Sequence, residues 1–253
     1  MPIDLSGRVA LVTGGTSQLG RVMVRTLAAA GADLAIHYKQ NQQGAAGLCA
    51  EVEALGRRAL AVQAEVADLP AVLAMRDTIR QSLGDPGIVV TNAVSQVAWN
   101  TVLETDPATY EDQFRTCVLQ NVHLAKAFVP AMIARGQGRF IGINPECTMQ
   151  LKPNQSAYAS AKRGMDGVLR VLAREVGEHQ ITINQVAPGW TISDRDREQG
   201  TERHEAYEAT VPLRRRGTDQ EIANVVAFLA SDLASFITGA YVPVCGGNVM
   251  PTI

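Results

Sequence analysis

Aromatic residues make up 5% of this 253-residue chain, and its four cysteines, Cys49, Cys117, Cys147 and Cys245, form no Cys-x-x-Cys pair and no cluster with histidine at metal-ligand spacing. This argues against a disulfide framework and against a metal site, and for free thiols in a reducing compartment. An excess of one charge is also lacking: 23 Lys and Arg stand against 25 Asp and Glu, a formal net charge of -2. Nothing in that balance calls for nucleic acid or an anionic membrane as partner. No run of about 18 apolar residues is read, and the start, Met1-Pro2-Ile3-Asp4-Leu5-Ser6-Gly7-Arg8, has no basic segment leading into an apolar one. The expectation is a cytoplasmic protein whose partners are small molecules or further copies of itself. Arg214-Arg215-Arg216 is too short for a phosphate-backbone footprint and is expected on a solvated loop face or a subunit contact. His37, His123, His179 and His204 form no motif.

What the chain does have is alternation. Short apolar runs at 8–13, 33–38, 58–63, 87–92, 138–143, 180–186 and 240–244 are separated by helical patterns at 19–31, 41–56, 69–83, 107–135, 155–178 and 219–231. Parallel strands need crossovers, so this order predicts a doubly wound, Rossmann-type α/β fold of about seven parallel strands with helices on both faces. No repeat or Pro/Gly-rich linker divides the chain, which reads as one domain over 1–253. The polar stretch Trp190 to Gly217 interrupts the alternation before the last helix and suits a lid over a site at the strand ends.

Two motifs carry chemistry. The first strand runs into Thr13-Gly14-Gly15-Thr16-Ser17-Gln18-Leu19-Gly20 and then a helix. Glycines permit close approach, and free N–H groups at a helix N-terminus favour an anion such as a pyrophosphate. The second is Tyr158-Ala-Ser-Ala-Lys162. Positions i and i+4 share a helix face about 5–6 Å apart, and an ammonium beside a phenol lowers its pKa toward useful acid–base chemistry.

With Asp4 through Gly14, Asn92-Ala93, Ala187-Pro188-Gly189, Pro212 through Gly217, Ser231-Asp232, Thr238-Gly239 and Gly246-Gly247, these motifs make the chain resemble the classical short-chain dehydrogenase/reductase family over essentially its whole length, 3-oxoacyl-carrier-protein reductases included. The resemblance implies hydride transfer between a nicotinamide cofactor and a carbonyl or alcohol, with Tyr158 as acid or base and Lys162 assisting it and binding the nicotinamide ribose. It implies cofactor contacts from Gly14, Thr16, Ser17, Leu19 and Gly20 in the turn. Further contacts are implied from Lys39, Glu65, Val66, Asn92, Ala93, Pro188 and Gly189, and from Ser193 to the carboxamide. A homotetramer or homodimer built on the long helices and the last strand follows from the same likeness.

Four positions depart from the family pattern. The catalytic serine falls on Pro145, the helix asparagine on Cys117, the middle turn glycine on Gln18, and the glycine closing the fourth-strand motif on Val94. Asn144 is taken as the catalytic stand-in for the serine hydroxyl, with Thr148 as another donor and Glu146 as an acid if burial raises its pKa. The strand ending His37-Tyr38-Lys39 has no acid and places Lys39 where NADP(H)-preferring relatives often have arginine, so NADP(H) is expected over NAD(H). Pro145 also keeps open a non-redox enzyme of the same fold, such as a dehydratase or isomerase, and a catalytically silent subunit that binds a nucleotide or a partner.

Overall fold

The computed structural model describes residues 2–95 and 97–251. Seven strands form one parallel sheet in the order β3-β2-β1-β4-β5-β6-β7. They are β1 (Val9–Val12), β2 (Asp33–Tyr38), β3 (Ala59–Gln63), β4 (Ile88–Thr91), β5 (Gly138–Ile143), β6 (Ile181–Pro188) and β7 (Tyr241–Val244). The predicted doubly wound fold is what the structure has. The order reverses between β1 and β4, which opens a crevice at the carboxyl ends of the two strands.

Strand alternation divides the core. Val12, Ile141, Ile143 and Val186 meet α1 (Gln18–Ala29) and α10 (Asp219–Ala230) on one face, packing against Leu27, Val24 and Val226. Leu11, Phe140 and Ile183 meet α3 (Leu69–Ser82), α5 (Gln120–Arg135) and α7 (Ser156–Val176) on the other. α2 (Gln42–Ala54) covers β2 and β3.

Two expectations need correction. The long helix over 107–135 is three pieces: α4 (Pro107–Phe114), a π-helical turn Arg115–Leu119, and α5. The wide turn frees carbonyls, and side chains one turn on take them up: the Asn121 amide donates to the Cys117 carbonyl at 2.7 Å and that of Gln120 to Thr116. Over 18 residues the segment 107–135 averages a hydropathy of 1.3, the composition of a membrane span, although polar Gln120, Asn121 and His123 interrupt it and no unbroken apolar run of that length occurs there. The reason is its place in the core, where its apolar side packs on α3, α7 and β5.

The stretch 190–217 is folded rather than irregular, with short helices α8 (Asp194–Gln199) and α9 (Glu205–Glu208). Arg216 organises it. Its guanidinium is buried, at 2% exposure, and donates to the Trp190, Thr191, Thr201 and Glu202 carbonyls and to Asp196 Oδ2. It also stacks on the Trp190 ring at 4.7 Å. The triple-arginine run is therefore no uniform solvated face: Arg216 is core, and Arg215 pairs with Glu221. Arg216→Ala removes the donor for four carbonyls and leaves Asp196 without its partner. A loss of about 3 kcal/mol in chemical denaturation is expected, with new protease cleavage between 190 and 217. An unchanged unfolding midpoint would show that this segment does not depend on Arg216.

Candidate active site

The β1–α1 turn is built by close approach. Gly14 has φ +60°, and a Cβ on Gly20 would collide with the Gly14 carbonyl, so Gly20 is dictated by space. Ser17 caps α1, accepting from Gly20 N at 3.2 Å. Thr16 and Leu19 flank it, half-buried. From β4, Asn92 Nδ2 donates to the Thr13 carbonyl, the Gly14 carbonyl and Ser17 Oγ at 3.0–3.1 Å. The amides of Asn92 and Ala93 in turn donate to Thr13 Oγ1 at 2.9 and 3.1 Å. The structure thus gathers the turn and the Asn92-Ala93 pair at the strand-order reversal.

His37, to which the sequence assigned no role, supports this turn. Gly14 N donates to its Nδ1 at 2.9 Å, and its Nε2 donates to the Ala64 carbonyl at 3.1 Å. Burial pushes its pKa below the ordinary histidine value, in keeping with the neutral tautomer these bonds require. Gln18 spans outward, its Nε2 donating to the Ile192 carbonyl at 2.9 Å, and Arg21 pairs with Asp194 just beyond. At the ends of β2 and β3, Lys39 Nζ pairs with Glu65 Oε2 at 2.7 Å. Burial opposes the Glu65 charge, but Lys39 and the Ala67 amide outweigh it and hold the carboxyl below its usual range. The Val66 carbonyl accepts from His123 Nδ1 at 3.1 Å.

Tyr158 and Lys162 lie on α7 beside the ends of β5 and β6. Tyr158 lines a cleft of about 450 Å³ with Trp99, Pro145, Glu146, Cys147, Trp190 and Tyr207, among others. Trp99 meets its ring edge-on at 5.7 Å. Lys162 is fully enclosed, donates to the Ile143 carbonyl at 2.7 Å, and stands 5.8 Å from the Tyr158 ring centre. The expected electrostatics are reversed. Burial pushes the Tyr158 hydroxyl well above its ordinary value and Lys162 below its own, so desolvation outweighs the lysine's pull on the phenol.

Asn144 does not stand in for the serine. Side chains alternate along a strand, so Asn144 shares the face of Gly142, whose added Cβ would strike Met165 and Leu169 of α7. Its amide is fully buried and donates to Gln185 Oε1 at 2.7 Å and the Lys162 carbonyl at 3.3 Å. Thr148, on α6 (Cys147–Gln150), is likewise engaged, donating to the Pro145 carbonyl at 2.9 Å. Cys117 is fully buried, and burial raises its thiol pKa, which fits a packed side chain rather than a nucleophile.

At the end of β6, Pro188 and Gly189 border the cleft, and Glu146 N donates to the Pro188 carbonyl at 2.9 Å. Ser193, expected on the carboxamide, is bound into a capping box: its Oγ donates to Asp196 Oδ2 at 2.5 Å and accepts from Asp196 N at 3.0 Å. Glu146 is buried, and Tyr207 Oη donates to its Oε1 at 2.9 Å. The sequence offered Glu146 as an acid if burial raised its pKa, and burial does raise it; what the sequence could not show is its pairing with Tyr207 and Asn248, 61 and 102 residues away.

A family model described as enoyl-(acyl carrier protein) reductase matches residues 14–248. The chain belongs to the short-chain dehydrogenase/reductase family. It is 37% identical over 248 residues to the 3-oxoacyl-[acyl-carrier-protein] reductase FabG of Pseudomonas aeruginosa, covering 98% of this chain and all of that one. Its identity to the Escherichia coli FabG is 34% over 258 residues, with 98% and 100% covered. Among solved structures it resembles a blue fluorescent protein from a metagenomic library in complex with NADPH, at TM-score 0.90, 34% identity and 98% and 100% coverage. L-Sorbose reductase from Gluconobacter frateurii, complexed with NADPH and L-sorbose, superposes over all of both chains with TM-score 0.90 and 26% identity. As a member of this family the chain is an oxidoreductase.

In this short-chain dehydrogenase/reductase the β1–α1 turn rests on a neutral imidazole, which has a consequence for acid stability. The folded-state pKa of His37 is depressed, so the unfolded chain takes up the proton first and stability falls as pH drops below about 6.5. In His37→Gln, which keeps a side-chain acceptor for Gly14 N, the slope of unfolding free energy against pH between about 6.5 and 5 is expected to flatten. An equal slope in both proteins would remove His37 from the account.

Proposed function

We propose that this oxidoreductase uses NADP(H) to interconvert a small carbonyl compound and its alcohol, with Tyr158 passing the proton. The observation that carries the reading is the placement of Tyr158 in the wall of the cleft, one helical turn from enclosed Lys162 and together with Pro188 and Gly189 at the end of β6. The turn fits a dinucleotide: it is a glycine turn at the N-terminus of α1, with Gly14 at φ +60° and Gly20 packed so closely on the Gly14 carbonyl that no Cβ is tolerated. Gly14, Thr16, Ser17, Leu19 and Gly20 would hold the pyrophosphate, and Asn92, Ala93, Val66, Pro188 and Gly189 border its path. When bound, the nicotinamide supplies or accepts the hydride. Lys39 at the end of β2 supports the 2′-phosphate form, as do the NADPH complexes of two structural relatives. Segment 190–217 serves as the cover of the cleft, to which it contributes Trp190 and Tyr207. Exposed Phe114, Val171 and Phe236 support assembly into a homodimer or homotetramer.

The protonation state of Tyr158 governs the pH dependence. A phenol whose pKa is raised by burial stays protonated through neutral pH, so the form that can give a proton to a nascent alkoxide is fully populated while the phenolate that would take one from an alcohol is scarce. Lys162 is held on the Ile143 carbonyl at 2.7 Å, 5.8 Å from the centre of the Tyr158 ring. Carbonyl reduction should be flat in pH across neutrality. Alcohol oxidation should rise about tenfold per unit toward alkaline pH, where the phenolate forms. Oxidation that levels off near pH 7 would contradict the raised Tyr158 pKa.

Pro145 favours a second reading, a silent or non-redox member, because it offers no hydroxyl to the substrate oxygen. Calorimetric titration with NADPH and NADH, followed by turnover on a panel of ketones, separates the two. The reductase reading expects tighter binding of NADPH and measurable turnover abolished by Tyr158→Phe. Restoring the donor with Pro145→Ser should raise reduction about a hundredfold, the worth of one preorganised donor. Failure to bind either dinucleotide would leave the silent reading standing, and binding without turnover in both forms would leave the non-redox one.

A further inference from the structure

We propose that the substrate is a hydroxylated carbonyl compound, a hydroxyketone or ketose or its polyol, whose remote hydroxyl group is held by Glu146. The inference rests on the carbonyl–alcohol reading above and specifies its substrate class.

Glu146 follows Pro145 directly and is 5% exposed, yet it lines the cleft that Tyr158 walls. Its carboxylate is held by groups from separate parts of the chain. Tyr207 Oη, which accepts from Trp190 N at 2.9 Å, directs its own proton to Glu146 Oε1 at 2.9 Å. Asn248 Nδ2 donates to Oε1 at 3.1 Å and Oε2 at 3.2 Å, while Asn248 Oδ1 accepts from Thr210 Oγ1 at 3.1 Å. The backbone is fixed by Glu146 N on the Pro188 carbonyl. The carboxylate is thus immobilised on its inner side. An ionised carboxyl offers about four acceptor positions, and these bonds use three, so Oε2 keeps capacity for one more donor. Burial raises the Glu146 pKa, a sign that its charge is under-solvated and gains from a further donor.

The rest of the lining decides which donor. Gln150, Lys152 and Gln155 add polar groups, and the Trp99 indole, 53% exposed, offers a flat apolar surface to C–H faces. Aromatic surface and amide or carboxylate acceptors suit a compound bearing alternating C–H and O–H groups. An ammonium is disfavoured, because Lys152 lines the same cleft and Lys162 lies behind Tyr158. An acyl chain is disfavoured too, since methylenes against Glu146 would occupy the cleft and leave a buried charge short of a partner. Sites that hydrogen-bond a substrate hydroxyl discriminate strongly against analogues without it.

The test compares, with NADPH, dihydroxyacetone, 1-hydroxy-2-butanone and ketohexoses against 2-butanone, 2-hexanone and a 3-oxoacyl thioester. For each protein the ratio of kcat/KM between hydroxylated and plain ketones is read. The wild type should favour the hydroxylated set by about a hundredfold or more, chiefly through KM. Glu146→Leu should bring the ratio near one, and isosteric Glu146→Gln, which keeps one acceptor and guards against a folding artefact, should lower it by about tenfold. Calorimetric titration of polyols onto the NADPH-saturated protein gives a readout independent of turnover. Polyol binding that weakens in both variants supports the inference even where nothing is turned over, in which case the carbonyl–alcohol reading alone falls. A wild type that prefers plain ketones or the thioester overturns it, as does a ratio unmoved by Glu146→Leu with no polyol binding.

Discussion

The seam between β1 and β4 is the constraint on which the site depends. There the strand order reverses, and Thr13 and Asn92 tie the two strand ends together: Thr13 Oγ1 accepts two β4-side amides, and Asn92 Nδ2 reaches back to two turn carbonyls and the helix cap. A parallel sheet opens a crevice at such a reversal, but the shape of the crevice comes from these bonds. Gln120 ties the same seam to α5, donating to the Ala93 carbonyl at 2.7 Å and accepting from Thr13 Oγ1 at 3.2 Å. The π-helical turn beside it sets where that helix can place Gln120 and Asn121. Glycine turn, seam and π turn therefore form one hydrogen-bonded unit.

Much of this was legible in the sequence because it is local. Short apolar runs, glycines before a helix and the i, i+4 spacing of a helix face depend on neighbours within about ten residues, and the strands, the turn and the Tyr158/Lys162 face followed from them. What was missed depends on distance or parity. Asn144 is one residue from Pro145, but alternation sends it to the α7 face, and a candidate chosen by proximity in sequence is lost by that single step. Arg216 reads as part of a charged run, whereas its carbonyl partners lie 14 to 26 residues upstream. His37 resembles any strand histidine until the turn folds back onto it.

The reversed electrostatics of the pair follow the same rule. Helical spacing brings a lysine near a tyrosine, but the sign of the outcome is set by how much solvent both lose. Here enclosure raises the phenol and lowers the ammonium, so the site holds its proton on oxygen. With proline at 145 and the amide of Asn144 turned inward, the cleft presents Tyr158 as its acid–base group and Glu146, held by Tyr207 and Asn248, as its buried carboxylate, beside Gln150, Lys152 and Gln155. One reacting end and one recognising end is the simplest account of that division.

A crystal structure of the protein grown with NADPH tests the central claim most directly. The account predicts the pyrophosphate on the amides of the Gly14–Gly20 turn, the adenosine 2′-phosphate at Lys39, and the nicotinamide ring facing the Tyr158 hydroxyl across the cleft. Electron density showing the glycine turn closed by Gln18 and Ile192 with no dinucleotide bound, at a cofactor concentration that saturates other members of the family, would contradict it.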